Sequence, residues 1–372
     1  MRAMILKELR ELRRDRRTMA MLVVLPLLLL TVFGFAANFT VDTLSVLVVG
    51  PQAGTVAEGL TGATQSAARL DVQQVSPADD RADAVADLAA NRYDLAVVTS
   101  DDGSIPEVLV DGSNLFAAQA AEVVLAGMGD AVQSTILFNP DLTTSWVMVP
   151  ALIGLILTFI GTIITSIGLV KERAAGTLEQ LAVMPLRPVD VIVGKIAPYF
   201  LLASADMIVV TLLGRAIFGV PFVGSVWLFA LAAAIFLFVV LGIGVLISTV
   251  SQNAGQAIQT AILVLLPQIL LSGFVFPLDA MAPGVRWIGY CLPMTYFVQV
   301  SQGILLRGAG IDSLWLPVLV LAGMAVLVFG AAVWRFRASI TPRRPRPPRT
   351  GARPAAIAGG TAGAAQAGAV TR

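Results

Sequence analysis

Six stretches of this chain are too long and too apolar to be ordinary core elements: residues 20–38, 146–170, 197–218, 226–249, 257–276 and 314–334. A run of about 18 or more apolar residues matches the thickness of the bilayer's hydrocarbon layer. Inside lipid a helix satisfies all of its own backbone N–H and C=O groups. The pattern therefore predicts an α-helical polytopic membrane protein with six transmembrane helices. Of the 372 residues, 57% are hydrophobic and only 13% charged, where soluble domains run near 45–50% and about 25%.

The net charge of +1 conceals a strong asymmetry. Residues 1–18 carry seven Lys/Arg, 171–195 carry four and 335–372 carry eight, whereas 39–145 carry three against fifteen Asp/Glu. Short basic flanks stay on the cytoplasmic side of a membrane. The chain is thus expected in the plasma (inner) membrane, with both termini and the 171–195 loop cytoplasmic and 39–145 outside. Glu8, Glu11 and Asp15 interrupt the basic start and no clear A-x-A site follows, so the first span reads as an anchor and not a cleaved leader. Within 1–18, Ile5, Leu9 and Leu12 share one helical face and Lys7, Arg10, Arg14 and Arg17 the other, which predicts an amphipathic helix lying on the anionic cytoplasmic leaflet.

Residues 39–145 alternate strand-like and helix-like runs. LSVLVVG (44–50) and YDLAVVT (93–99) are rich in β-branched residues, whereas 53–69, 78–90 and 114–138 read as helical. One small α/β domain between helices 1 and 2 is expected, with a solvated acidic surface. The remainder, 146–340, is the transmembrane domain with helices 2–6. Its segment 278–310 is apolar but cut by Pro283, Pro293 and several glycines. Neither half reaches spanning length, which predicts short helices re-entering the outer leaflet. From Thr341 onward the tail is Pro/Arg-rich, then Gly/Ala-rich, and is expected to be disordered.

The chemistry is sparse. There is no histidine and one cysteine, Cys291, so neither a disulfide within the chain nor a Ser/His or Cys/His nucleophile pair can form. No phosphate-binding G-x-x-x-x-G-K-[ST] occurs, since Gly194-Lys195 is followed by Ile196. An enzyme or a bound cofactor or metal is not expected, nor a nucleic-acid partner. Asp206 lies deep in the third span, where an ionised group costs on the order of 2.5–3.5 kcal/mol. With Gln268 it marks either a hydrogen-bonded packing site or a stretch of transport pathway.

Residues 171–195 put both signs of charge between two spans. Thr177 and Gln180 match a capping box, Leu178 and Leu181 make a narrow apolar stripe, and Pro185 stops the helix. A short cytoplasmic helix at about 176–185 follows, shaped to dock into a groove on another protein or to serve as a plain loop.

Lys171-Glu172-Arg173, Gly176-Thr177, Leu178-Glu179, Leu181, Pro185 and Gly194-Lys195 together resemble the cytoplasmic motif of ABC exporter permeases of the second type. Asp111-Gly112-Ser113-Asn114 resembles a stretch in members with a large loop after the first span. Ser272-Gly273, Phe276-Pro277-Leu278, Pro293-Met294-Thr295-Tyr296 and Gly303 resemble the segment before the last span. The resemblance implies a multidrug-efflux-like exporter subunit moving a hydrophobic or amphipathic drug, or a lipid. Glu172, Arg173, Gly176, Thr177, Leu178, Glu179 and Leu181 would form a coupling helix on a separate ATP-binding subunit, with residues 1–18 beside it. A second permease copy or a homologue would complete the pathway, and Pro293 and Tyr296 would belong to the outer gate. The alternative is a membrane scaffold or sensor whose α/β domain binds a ligand or partner without transport.

Overall fold

The computed structural model describes residues 27, 41–62, 68–100, 105–176 and 188–340. The expected amphipathic helix 1–18, all but Leu27 of the first span, residues 177–187 and the tail from 341 lie outside them.

The first described body is a five-stranded mixed sheet. In chain order it comprises β1 (Thr43–Val49), α1 (Ala53–Gly62), β2 (Arg69–Ser76), α2 (Arg81–Ala89), β3 (Leu95–Val98), β4 (Glu107–Asp111), α3 (Leu115–Met128) and β5 (Gln133–Leu137). The strand order is β2-β1-β3-β4-β5, and only β3–β4 is antiparallel. Alternation along the strands builds two cores. Leu44, Val46 and Val48 face one side with Ala117, Ala118 and Ala121 of α3. Leu47, Val49, Ala96 and Leu109 face the other, with Ala84 and Leu88 of α2. An Asp80–Asp83 capping box starts α2.

The expected helix over 114–138 is corrected here. It stops at Met128, because Gly129 adopts φ +57°, a left-handed conformation open chiefly to glycine. The β-branched run that follows pairs in parallel with β4 as β5.

Five described helices are long and apolar enough to cross a membrane: α4 (Thr144–Ala174), α5 (Pro188–Phe218), α6 (Val226–Val250), α7 (Ala254–Leu271) and α10 (Ile311–Ile340). The expected spans 2–6 fall within or against them. Between α7 and α10 lie the short α8 (Pro283–Tyr290) and α9 (Pro293–Leu305). The chain is thus a mostly helical, multi-pass membrane protein carrying a small mixed-sheet domain.

Helix α6 is central, apolar on every side, and packs on α4 and α10. Small residues set the spacing. A Cβ on Gly161 would stand 2.7 Å from Val240 Cγ1, and one on Gly244 2.8 Å from Thr165 Cβ, so α4 and α6 cross at backbone range. At Gly154 the ring of Phe297 from α9 lies over the missing side chain and stacks on Phe236 of α6 at 4.4 Å. Helix α9 is therefore a core element, although too short to span. By contrast, α5 turns Leu201, Leu202, Leu212 and Ile217 outward at 57–70% exposure.

Candidate functional site

The charged end of α4 forms the base of the expected coupling segment. α4 runs past the last apolar residue through Lys171-Glu172-Arg173, and Ala175 and Gly176 close it by donating to the carbonyls of Lys171 and Arg173. Gly176 takes φ +72°, the left-handed position that ends many helices, so the motif glycine turns the chain out of α4. Three contacts fix this base. Lys195 Nζ of α5 donates to Glu172 Oε2, which ties the two sides of the 177–187 connection together. Arg173 Nη1 donates to Ser248 O at 2.9 Å and approaches Ser251 O at 3.5 Å. It thereby places a cation on the carbonyl end of α6, where the helix dipole favours it. Tyr199 of α5 fills the notch left by Gly168, where a Cβ would come within 2.1 Å of its hydroxyl.

The base therefore joins α4, α5 and α6 at one end. Thr177, Leu178, Glu179 and Leu181 lie outside the described residues.

The bilayer-depth polar groups sit apart. Asp206 is half-buried midway along α5, its Oδ2 shielded and without a hydrogen-bond partner among the described residues. Gln268 of α7 is buried, with Oε1 likewise unpartnered. No hydrogen bond joins the two. Thr162 and Thr165 of α4 add two more buried hydroxyls without partners among the described residues, at the tight α4–α6 crossing.

At the opposite end of α4 the sheet domain meets α9. Pro293 opens α9 and is buried, and Tyr296 Oη donates to Tyr290 O at 2.7 Å, closing the α8–α9 corner. Ser301 Oγ and Gln302 Nε2 donate to Pro150 O (3.3 Å) and Val147 O (3.1 Å) of α4.

Just beyond α9, Arg307 Nη1 donates to Ser113 Oγ at 2.8 Å and Asn91 Oδ1 at 3.1 Å, and stands 3.9 Å from Asp111 Oδ2. Both charged side chains are almost fully enclosed, at 5% and 1% exposure. Burial pushes the Asp111 carboxyl up from the usual aspartate range, against the pull of the Arg307 charge. A 130 Å³ cavity beside them is lined by Arg307, Ser272, Gln302, Met148 and Phe116. Arg307 Nε and Ser272 Oγ have no hydrogen-bond partner among the described residues.

Each residue of Asp111-Gly112-Ser113-Asn114 has its own task here. Asp111 Oδ1 accepts from Ser113 N (2.8 Å), and Gly112 admits Ile136 and Leu137 within 2.8 Å of where a Cβ would stand. Ser113 meets Arg307. Asn114 caps α3 and donates to Asp94 Oδ1.

The family is decided by a match that runs through both ends of α4. Residues 16–334 fit the model of the ABC-2 family transporter proteins. The chain belongs to the ABC-2 transporter family. It is 30% identical over 358 residues to the probable multidrug ABC transporter permease YbhS of Escherichia coli, covering 88% of this chain and 94% of that protein. YbhR, another probable multidrug ABC transporter permease of E. coli, is 28% identical over 364 residues, 91% and 98% of the two chains. The inner membrane transport permease YhhJ of E. coli is 35% identical over 212 residues, 56% of each chain. This ABC-2 protein is accordingly a membrane subunit of an ABC transporter, and YbhS, YbhR and YhhJ are each named as permeases.

Sequence reasoning did not single out Arg307, Asn91, Ser248 or Ser251. The one available signal was a lone arginine after an apolar helix, followed by glycine at φ +67°. Its burial partners are 194–216 residues away, which local pattern does not reveal.

Proposed function

We propose that this chain is the transmembrane subunit of an ATP-driven exporter in the plasma (inner) membrane. It moves a hydrophobic or amphipathic small molecule, or a lipid, outward. A separate subunit binds and hydrolyses ATP. The observation that carries this reading is the cross-tied base at Glu172, Arg173 and Lys195, in a chain of the ABC-2 family. A connection held to three helices is built to transmit force, and the relatives named as ABC transporter permeases support placing the motor on a partner subunit.

In this reading residues 19–38 supply a sixth span, and 1–18 lie on the cytoplasmic leaflet beside a coupling helix near 176–185. Leu178 and Leu181 seat that helix in the ATP-binding subunit. Closure of the subunit pushes on them, and α4 and α5 tilt as rigid bodies. A second copy or a homologue faces the exposed apolar helices and completes the pathway. The α8–α9 hairpin forms the outer gate, and the sheet domain lies outside the membrane. The multidrug names of YbhS and YbhR, and span interiors almost free of charge, support an apolar cargo; Asp206 and Gln268 are the polar groups set to meet it or to hold the helices around it.

The test is ATP-dependent uptake of a fluorescent amphipathic dye, rhodamine 6G, into inside-out vesicles. Uptake is expected only when this chain and an ATP-binding subunit are both present. Dye movement driven by a proton gradient without ATP, or none with both subunits, would overturn the reading.

A further inference from the structure

The outer junction contains a charge whose burial depends on two bodies staying together. Among the described residues, every polar partner of the Arg307 side chain belongs to the sheet domain: Asn91 at the turn after α2, Ser113 after β4, and Asp111 at the end of β4. Asp111 in turn has no other cationic partner among them. Removing one member of a buried charge pair leaves the other desolvated and uncompensated, which costs far more than the pair contributes. Separation of the sheet domain from α9 would break every described polar contact of the Arg307 side chain at once and return both charged groups to water. Deleting Arg307 alone would leave Asp111 buried without its cation, so docking depends on the pair.

The same short segment also carries the neighbouring membrane loop. Ile304 O and Leu305 O, three and two residues before Arg307, accept from Gly224 N (2.9 Å) and Val223 N (3.2 Å) in the α5–α6 connection. A Cβ on Gly224 would stand 2.7 Å from Ile304 O, so the loop is pressed against the end of α9. Ser301 and Gln302, one turn earlier, hold the outer end of α4. The end of α9 thus gathers α4, the α5–α6 loop and the sheet domain at one point, and among the described residues only Arg307 makes the last of these attachments with charge.

We propose that Arg307 is a positioning residue that makes the sheet domain and the α9 hairpin one moving body, so that tilting of α4 and α5 during transport carries the domain with the outer gate. This rests on the transport reading above for its second half, the coupling to movement of cargo. The first half, docking, stands on the contacts alone.

The test uses the full chain in lipid nanodiscs and, reconstituted with its ATP-binding subunit, in proteoliposomes. Two variants are compared, Arg307→Met and Arg307→Lys. In Arg307→Met, amide hydrogen exchange is expected to rise about a hundredfold in residues 91–94 and 111–115, as docking protection is lost, with α6 unchanged. ATP hydrolysis is retained while rhodamine 6G moved per ATP falls several-fold. Arg307→Lys recovers part of both. A merely local packing role would change stability without altering the ratio of dye to ATP.

Unchanged exchange in Arg307→Met overturns the docking claim. Released exchange with an unchanged ratio overturns the coupling claim. If Arg307→Met does not fold, Asn91→Ala with Ser113→Ala decides by the same two readouts, since these remove only neutral partners. If the wild-type pair moves no dye at all, the transport reading fails, and exchange still decides whether Arg307 docks the domain.

Discussion

The two ends of α4 each carry an inter-element ion pair, and the pairs differ in kind. At one end Glu172 and Lys195 meet with side chains 34% and 16% exposed, beside an arginine on helix carbonyls. At the other, Asp111 and Arg307 are enclosed, 3.9 Å apart, and supported by Asn91 and Ser113. A partly solvated pair contributes little to stability and tolerates change of geometry. A buried pair must be intact or absent. The comparison teaches where the molecule can flex: the partly exposed pair tolerates adjustment, and the enclosed pair holds the sheet domain against the end of α9.

Breaking the buried side has the largest expected effect. Arg307→Met is expected to cost about 3–5 kcal/mol of stability, read as the midpoint of denaturant unfolding in detergent. Converting the pair to Met and Leu together should recover most of that loss, because no charge is left stranded. Next is the packing that seats α9 between the two ends. Gly154→Val would drive a side chain into the Phe297 ring, where even a Cβ stands at 2.6 Å. The expected loss is about 1–3 kcal/mol, seen as a lowered melting temperature.

Lys195→Met should cost only about 0–1 kcal/mol. It should nevertheless lower dye moved per ATP, since the base loses its tie between α4 and α5. Equal stability losses at Lys195 and Arg307 would erase the distinction between the two ends.

The smallest effect sharpens the comparison inside the sheet domain, at an exposed pair. Arg81 donates to Glu107 at 2.8 Å, and that hydrogen bond holds the Glu107 carboxyl below its ordinary value of 4.5. Because the folded value is depressed, the contribution is present above about pH 4.5 and fades as pH falls through the folded value. Wild type and Glu107→Gln should therefore differ by less than about 1 kcal/mol near neutral pH, and the gap should close in acid. Unfolding monitored at several pH values checks the sign.

What could be read from the sequence follows from the range of the forces involved. The five described spans were legible because bilayer thickness demands a continuous apolar run, and β1 and β3 because β-branched runs sit between turn residues. Helix ends were not. Apolar length measures the membrane and not the helix, so α5 begins at Pro188 and includes Lys195, nine residues before the expected 197. β5 was taken for helix because local composition around Ala131 outweighed one glycine with positive φ. Glu172, Arg173 and Gly176 were visible as a motif, and their positions explain why those residue types occur there. Arg307 was not visible, since a buried charge is defined by partners distant in the chain.

The central proposal is that force enters through residues 177–187 from an ATP-binding partner subunit. It is tested most directly by measuring rhodamine 6G moved per ATP hydrolysed in proteoliposomes containing the ATP-binding subunit and either Leu178→Asp or Leu181→Asp. The account predicts that the subunit is lost, or that ATP is hydrolysed with little dye moved. Wild-type transport with the subunit retained in both variants would contradict it.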